Sequence, residues 1–191
     1  MSFTIRQATS GDGAAVAAIY APFVSNTAIT FEEQPLDARG MAERIEKGLA
    51  RYPFLVAELA GEVGGYAYAS EHRARASYRW AVDVSVYIDP RFHRRGIGRG
   101  LYDVLLPLLV RQGFVLAVAG ITVPNAASVG LHEAMGFSLV GVYRNVGYKL
   151  GEWRDVGWWQ RALRDAPQRP GEPVLWGEMA GRFNDPVNTT K

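Results

Sequence analysis

The 191-residue chain contains no cysteine. Disulfide bonds, a thiol nucleophile and thiolate metal sites are thereby excluded, and no acyl intermediate can be held on sulfur. Only three histidines are present, without clustered carboxylates, so no metal-ligand set is implied. Long apolar runs are missing too. None approaches the ~18 residues that span a bilayer, and residues 1–7 have neither the basic start nor the apolar run of a secretory signal. A soluble cytoplasmic protein with no membrane partner is expected. Charge of one sign is equally scarce. A formal net charge of +2, from 21 Lys and Arg against 19 Asp and Glu, is too small for a nucleic-acid surface, which rests on many clustered phosphate contacts.

What is present suffices for one compact domain, since 48% of the residues are hydrophobic and 12% aromatic. Phe3, Ile5 and Gln7 alternate with Thr4, Arg6 and Ala8, and Thr9-Ser10-Gly11-Asp12 supplies capping residues before a helical run over 14–24. Leu36, Met41, Ile45 and Leu49 recur at helical spacing behind Pro35 and Asp37, predicting a second helix. Apolar runs at 54–59 and 63–69 flank Ala60-Gly61-Glu62, a hairpin signal, and 80–88 reads as the next strand, stopped by Pro90. Leu101, Leu105, Leu108 and Leu109 mark a helix reaching Gln112-Gly113, in which Pro107 predicts a kink. The stretch 115–123 predicts a strand covered on both faces. A short helix over 126–135 and two strands, 137–146 and 153–161, follow. From Asp165 the composition turns to Pro, Arg, Gly and Glu. The expected organisation is one domain over 1–164 and a C-terminal tail over 165–191, which Trp176 and Phe183 dock on its own domain or across a dimer.

Arg91, His93, Arg94, Arg95 and Arg99 fall within nine residues, while the rest of the chain is close to charge balance. A small, highly charged anion suits such a cluster better than a polymer. Within it, Arg94-Arg95-Gly96-Ile97-Gly98-Arg99-Gly100 lies between a predicted strand and an amphipathic helix. Helix N-termini carry unpaired N–H groups and partial positive charge, glycines let a pyrophosphate approach the backbone, and arginines add bidentate donors. A tight turn with solvated arginines has the same composition. The P-loop is excluded because no Gly-Lys-Ser or Gly-Lys-Thr closes the stretch. A dinucleotide fingerprint fails twice, with Leu101 where a third glycine belongs and Asn125 where an acid belongs.

Arg95-Gly96-Ile97-Gly98-Arg99-Gly100 resembles the coenzyme A pyrophosphate loop of GNAT acetyltransferases, Arg/Gln-x-x-Gly-x-Gly/Ala. The run from Asn125 through Ala126-Ala127-Ser128 and Leu131-His132 to Gly136-Phe137 is similar to the second signature of that superfamily. A His in place of the usual Tyr, here His132, is typical of its phosphinothricin acetyltransferase branch. Phe31-Glu32-Glu33-Gln34-Pro35, Tyr52-Pro53-Phe54, Arg73-Ala74-Arg75 with Tyr78, and Trp153-Arg154-Asp155-Val156-Gly157-Trp158-Trp159 resemble the same branch. The similarity runs over residues 3–163. Asp83 departs from it, standing where the branch usually carries a Glu.

The resemblance implies a mixed α/β (α+β) fold with a mainly antiparallel, splayed central sheet flanked by about four helices. It implies acetyl-CoA as co-substrate and direct transfer, in a ternary complex, to the α-amine of a small amino-acid analogue such as phosphinothricin or methionine sulfoximine. The pyrophosphate then belongs on Arg94, Arg95, Gly96, Ile97, Gly98, Arg99 and Gly100. The pantetheine arm belongs along Val86, Tyr87 and Ile88, beside Asn125 and Ser128, with an oxyanion donor near Val86. Asp83 and His132 are the candidate proton-transfer groups, and which is base and which acid stays open. Phe31, Arg73, Arg75, Tyr78, Ser85 and Tyr87 are implied around the acceptor, the arginines for its carboxylate. A homodimer is implied as well, to which Trp158, Trp159 and Trp176 would contribute. Two other functions fit the same motifs: a non-catalytic coenzyme A-binding module, and an acetyltransferase of protein N-termini or lysines. The ionisable pair Asp83 and His132 favours an enzyme, and Arg73 with Arg75 speaks against an open groove.

Overall fold

Residues 2–179 and 187–189 are described by a computed structural model, and their local conformation follows the punctuation of the sequence. The alternating start forms β1 (Phe3–Gln7), which buries Phe3 and Ile5. Before α1 (Gly13–Asn26), the Thr9 N–H and hydroxyl both donate to the Asp12 carboxylate, at 2.8 and 3.1 Å. Asp37 caps α2 (Ala38–Leu49) by accepting from the Gly40 N–H at 2.8 Å. Ala60 and Gly61 take φ of 48° and 83°, the left-handed pair that suits a two-residue hairpin between β2 (Phe54–Leu59) and β3 (Glu62–Glu71). β4 (Ala81–Ile88) leads to α3 (Ile97–Gln112), which continues past Pro107 and stops at Gly113 with φ 100°. β5 (Leu116–Val123) and α4 (Ala126–Ala134) follow, and Gly136 at φ 82° turns the chain into β6 (Ser138–Lys149). β6 outruns its predicted end. The strand passes an irregularity at Asn145, φ 49°, instead of stopping there, and Leu150-Gly151 turns it into β7 (Glu152–Ala162).

With the short α5 (Trp176–Met179) and β8 (Val187–Thr189), the strands form one sheet ordered β6-β7-β5-β4-β3-β2-β1-β8. Among the described residues, only β4 and β5 pair in parallel. α3 covers one face, where Leu101, Tyr102 and Leu105 meet Ile5, Leu55, Ala67 and Val84. α1 and α2 cover part of the other, where Val16, Tyr20, Met41 and Ile45 meet Phe54, Val56 and Tyr66. The contact between β4 and β5 is brief. It spans Ala81–Asp83 against Leu116–Val118 and then ceases, although β4 stays paired with β3 to Ile88 and β5 with β7 to Val123. The middle of the sheet therefore splits into a V.

This split limits one sequence expectation. Ala117, Ala119 and Ile121 of β5 are buried in the α3 core, and on the opposite face Val118 is buried while Gly120 is exposed. What lies over that face is Trp158, whose ring stands 3.2 Å from where a Cβ of residue 120 would be. The gap, not a second helical layer, borders the strand.

The C-terminal segment folds back on its own domain. Trp176 is 1% exposed within the α3 core, and its indole N–H donates to Gln7 Oε1 at 3.0 Å. Gln112 Nε2 donates to the carbonyls of Arg51 and Val174 at 3.0 and 2.8 Å, and β8 pairs antiparallel with β1. Phe183 lies outside the described residues. Trp159 and Trp176 are both buried in this core, so neither is available for the subunit contact expected of them. Deleting a buried indole leaves a cavity, and Trp176→Ala is expected to cost about 3–5 kcal/mol, read as a lowered urea midpoint with the slope unchanged.

Candidate active site

The split exposes backbone. Asp89 N–H donates to Gly64 O at 3.0 Å on the β3 side, while Trp80 O accepts from Val115 N–H at 2.8 Å on the β5 side. Backbone groups alternate direction along a strand, so beyond the last bridge, which engages Val84 N–H, the C=O of Val84, both groups of Val86 and the N–H of Ile88 point into the gap, while Ile88 O lies 3.2 Å from His93 Nε2. Nothing on β5 meets them there. Buried backbone polar groups require partners, and this row suits an extended ligand that hydrogen-bonds as a strand does. A cavity of about 50 Å³ lies in the gap, walled by Ile29, Ser85, Tyr87, Asn125, Ser128 and His132 among others.

At the wide end of the gap stands the N-terminus of α3. Gly96 takes φ 80°, which a side chain would strain, and the first helical bond runs from Gly100 N–H to Gly96 O at 2.9 Å. The N–H groups of Ile97, Gly98 and Arg99 thus precede the helical ladder and face outward. The other two glycines serve packing. A Cβ at Gly98 would stand 3.0 Å from the Leu131 side chain, and one at Gly100 would stand 2.7 Å from the Phe3 ring. Gly100 is therefore a core glycine whose N–H is already used, not a phosphate contact. Arg91 is also committed, pairing with Asp89 and Glu62, each at 2.6 Å, and it holds the Asp89 carboxyl below the usual range. Arg94, Arg95 and Arg99 remain exposed. Free helix-start N–H groups beside exposed guanidiniums fit a diphosphate.

α4 floors the gap on the α3 side. Asn125 caps it, its Oδ1 accepting from Ser128 N–H at 3.1 Å. His132 is 3% exposed and has both ring nitrogens engaged. Nδ1 lies 2.8 Å from Ser128 O, and since a carbonyl only accepts, Nδ1 carries the hydrogen. Nε2 then accepts from the Tyr102 hydroxyl at 2.9 Å, whose pKa burial pushes far up. Burial lowers the His132 pKa, with the Ser128 bond opposing it. The imidazole is neutral, buried and saturated, which suits a positioning group better than a proton donor to a thiolate.

Asp83 occupies the last β4 position paired with β5, the apex of the V. Its Oδ1 lies 2.6 Å from Nδ1 of His72, a residue that sequence reading did not select. Burial raises the Asp83 pKa, and His72 and Arg73 oppose the rise. The acceptor residues implied by resemblance do not all meet. Ser85 and Tyr87 wall the gap, and Tyr87 also stacks among Tyr20, Phe23 and Tyr66. Arg73 borders a cavity of about 200 Å³ with His72, Tyr143 and Trp158. Arg75 and Tyr78 line a larger cavity of about 420 Å³, beneath Val174 and Leu175 of the C-terminal segment, which Arg73 borders as well.

Phe31 belongs to the loop 27–37, which spans from α1 to α2 and brings Ile29 over the gap. Its ring lies where a Cβ of Gly147 would be, only 2.4 Å away, so the glycine lets this loop press on β6. Lys149 fastens the same contact. It is 6% exposed, and Nζ donates to Val24 O and Thr30 O, both at 2.7 Å. Burial lowers its pKa, with Glu33 and Glu32 opposing. Neither Lys149 nor His72 carried a motif; only the fold makes them neighbours of the gap.

A family model described as an acetyltransferase (GNAT) domain matches residues 5–158. The chain is 43% identical over 171 residues to a phosphinothricin N-acetyltransferase of Streptomyces viridochromogenes, covering 89% of this chain and 93% of that protein. It is 37% identical to an L-methionine sulfoximine/L-methionine sulfone acetyltransferase of Salmonella typhimurium, covering 84% and 94% respectively. Among solved structures, a GNAT superfamily phosphinothricin acetyltransferase from Sinorhizobium meliloti in complex with AcCoA superposes with a TM-score of 0.85. It shares 36% identity, over 92% of this chain and 99% of that one.

Two outcomes follow from the geometry. Folded His132 resists protonation, whereas the unfolded chain takes the proton near the ordinary value of ~6.5. Its share of stability is complete above that pH and is lost as pH falls from there toward the folded-state value. Between pH 7.5 and 5 the urea midpoint of the native protein should therefore fall more steeply than that of His132→Gln. Replacing Lys149 by Met removes two charge-assisted bonds to carbonyls and is expected to cost about 1.5–3 kcal/mol. Hydrogen exchange should quicken across residues 27–37, and unchanged exchange there would deny Lys149 its fastening role.

Proposed function

Because the chain belongs to the GNAT acetyltransferase family, we propose that it acetylates the α-amine of a small amino-acid analogue of the phosphinothricin or methionine sulfoximine kind. The observation that carries this is the unpaired edge of β4, running from the free N–H groups at the start of α3 to the carboxylate of Asp83. Acetyl-CoA, consumed in each cycle, supplies an acyl group activated as a thioester. The N–H groups of Ile97, Gly98 and Arg99, with the guanidiniums of Arg94, Arg95 and Arg99, hold its diphosphate. The edge from Ile88 to Val84 receives the extended arm beside Asn125 and Ser128, and Val86 N–H is the donor for the carbonyl oxygen that gains charge.

On the other face, Asp83 belongs to the path that takes the proton from the incoming ammonium. His132 holds α4 in register with the gap and stays neutral. Phe31, Ser85 and Tyr87 border the acceptor, and its carboxylate pairs with Arg73. Arg75 and Tyr78, on the far side of Arg73 in the larger cavity, are assigned no direct contact with the acceptor. With no cysteine to carry the acetyl group, transfer is direct within a ternary complex. The protein works in the cytoplasm as a homodimer, a state supported by the exposed Leu139, Val140, Tyr143, Tyr148 and Trp153 on the β6–β7 hairpin. One domain over 1–164 carries the site, and the described residues of the tail 165–191 brace it.

Acetyl-CoA turnover, followed by thiol release, should be measured across phosphinothricin, methionine sulfoximine, methionine sulfone and the common amino acids. Selective turnover of one analogue is expected. Coenzyme binding without turnover on any of them would shift the assignment to a protein acceptor or a non-catalytic module.

A further inference from the structure

The carboxylate at the apex of the gap is short, and its Oδ1 is occupied. It meets Nδ1 of His72 at 2.6 Å. A carboxylate accepts, so Nδ1 carries the hydrogen and Nε2 is the ring nitrogen turned away from Asp83. Among the described residues no hydrogen-bond partner meets Nε2. The ring is held firmly nonetheless: Tyr78 and Trp158 stand edge-on to it, with centroids at 6.2 and 6.3 Å. It borders the cavity of about 200 Å³ into which Arg73 also opens, with the Arg73 guanidinium 5.4 Å over the Trp158 ring. An oriented imidazole with one free nitrogen, a half-buried carboxylate behind it and a cation beside its cavity has the arrangement of a base for an amino-acid ammonium.

We propose that His72, not Asp83, is the group that accepts the proton of the acceptor ammonium, with Asp83 orienting the imidazole and stabilising the imidazolium that forms. This rests on the acetyl-transfer function proposed above. The imidazole carries the basic site outward from the short Asp83 carboxylate by the length of a ring. In the step, one ammonium proton passes to Nε2. The amine nitrogen then bonds to the thioester carbon as the carbon–sulfur bond breaks, a second amine proton leaves with the thiolate as thiol, and the imidazolium returns its proton to solvent. The charged and titratable groups around the ring are Asp83, Arg73, Tyr78 and Tyr143.

His72→Asn keeps an N–H for Asp83 but has no base, and His72→Phe keeps the ring volume without either nitrogen. Using the acceptor that the native protein turns over best, both variants should lose about 100-fold in kcat at pH 7, with the acetyl-CoA KM unchanged. The deficit should shrink as pH rises toward 10, where the acceptor arrives already deprotonated, and added imidazole should restore turnover to His72→Gly. Turnover within threefold of native in both His72→Asn and His72→Phe would overturn the inference, as would a deficit that is the same at every pH. A native protein that acetylates no acceptor would instead defeat the function on which the inference rests, so the two failures are distinguishable.

Discussion

Two neighbouring strands that part after a few residues leave polar backbone with nothing opposite it, in the middle of a sheet where it is hardest to hydrate. Each such orphaned group costs on the order of 1–3 kcal/mol if left dry. The rest of this protein is arranged around that vacancy. β3 and β7 hold the outer edges of β4 and β5 in full register, so the parted strands cannot drift together or collapse. A helix start stands at the open end and a carboxylate at the closed end. On the proposed reading, a long thioester ligand would complete the sheet, bringing its anion to one end and its reactive carbon to the other.

The two faces of the gap divide the work by polarity. On the α3 side, the Ser128–His132–Tyr102 chain is buried and neutral, with every hydrogen-bonding atom of the imidazole accounted for. Such a chain resists titration and keeps α4 at a fixed height beside the ligand. On the opposite side no helix covers β5 among the described residues, and the wall is built from Trp158, His72, Arg73 and the loop 27–37. The proposed function puts proton transfer on that second face and the coenzyme on the first.

Much of this was legible beforehand. Capping residues, hairpin glycines and apolar runs located nearly every element, because each of those signals acts over a few residues. The Gly/Arg turn into α3 was legible for the same reason, although Gly100 turned out to answer to Phe3, a contact 97 positions away in sequence. His132 was found by its signature, but its saturation depends on Tyr102 from another helix. Lys149 and His72 left no local trace: their roles come from β6 reaching the end of α1 and from the β3–β4 turn folding back over Asp83. The covered appearance of 115–123 misled because a strand bordering a gap is as apolar on its buried side as one between two layers. Long-range juxtaposition is what periodicity cannot encode.

Trp176 carries one more implication, for the order in which the protein is made. Every residue assigned to the reaction lies before position 164, yet the indole that plugs the α3 core and the strand that covers the outer edge of β1 come later. On the ribosome, the whole catalytic constellation emerges while the core still has an open seat and the first strand a bare edge. During that interval the nascent chain presents apolar surface to chaperones and to its neighbours. The last segment of the chain thus acts less as a tail than as the latch whose arrival ends the vulnerable phase of synthesis.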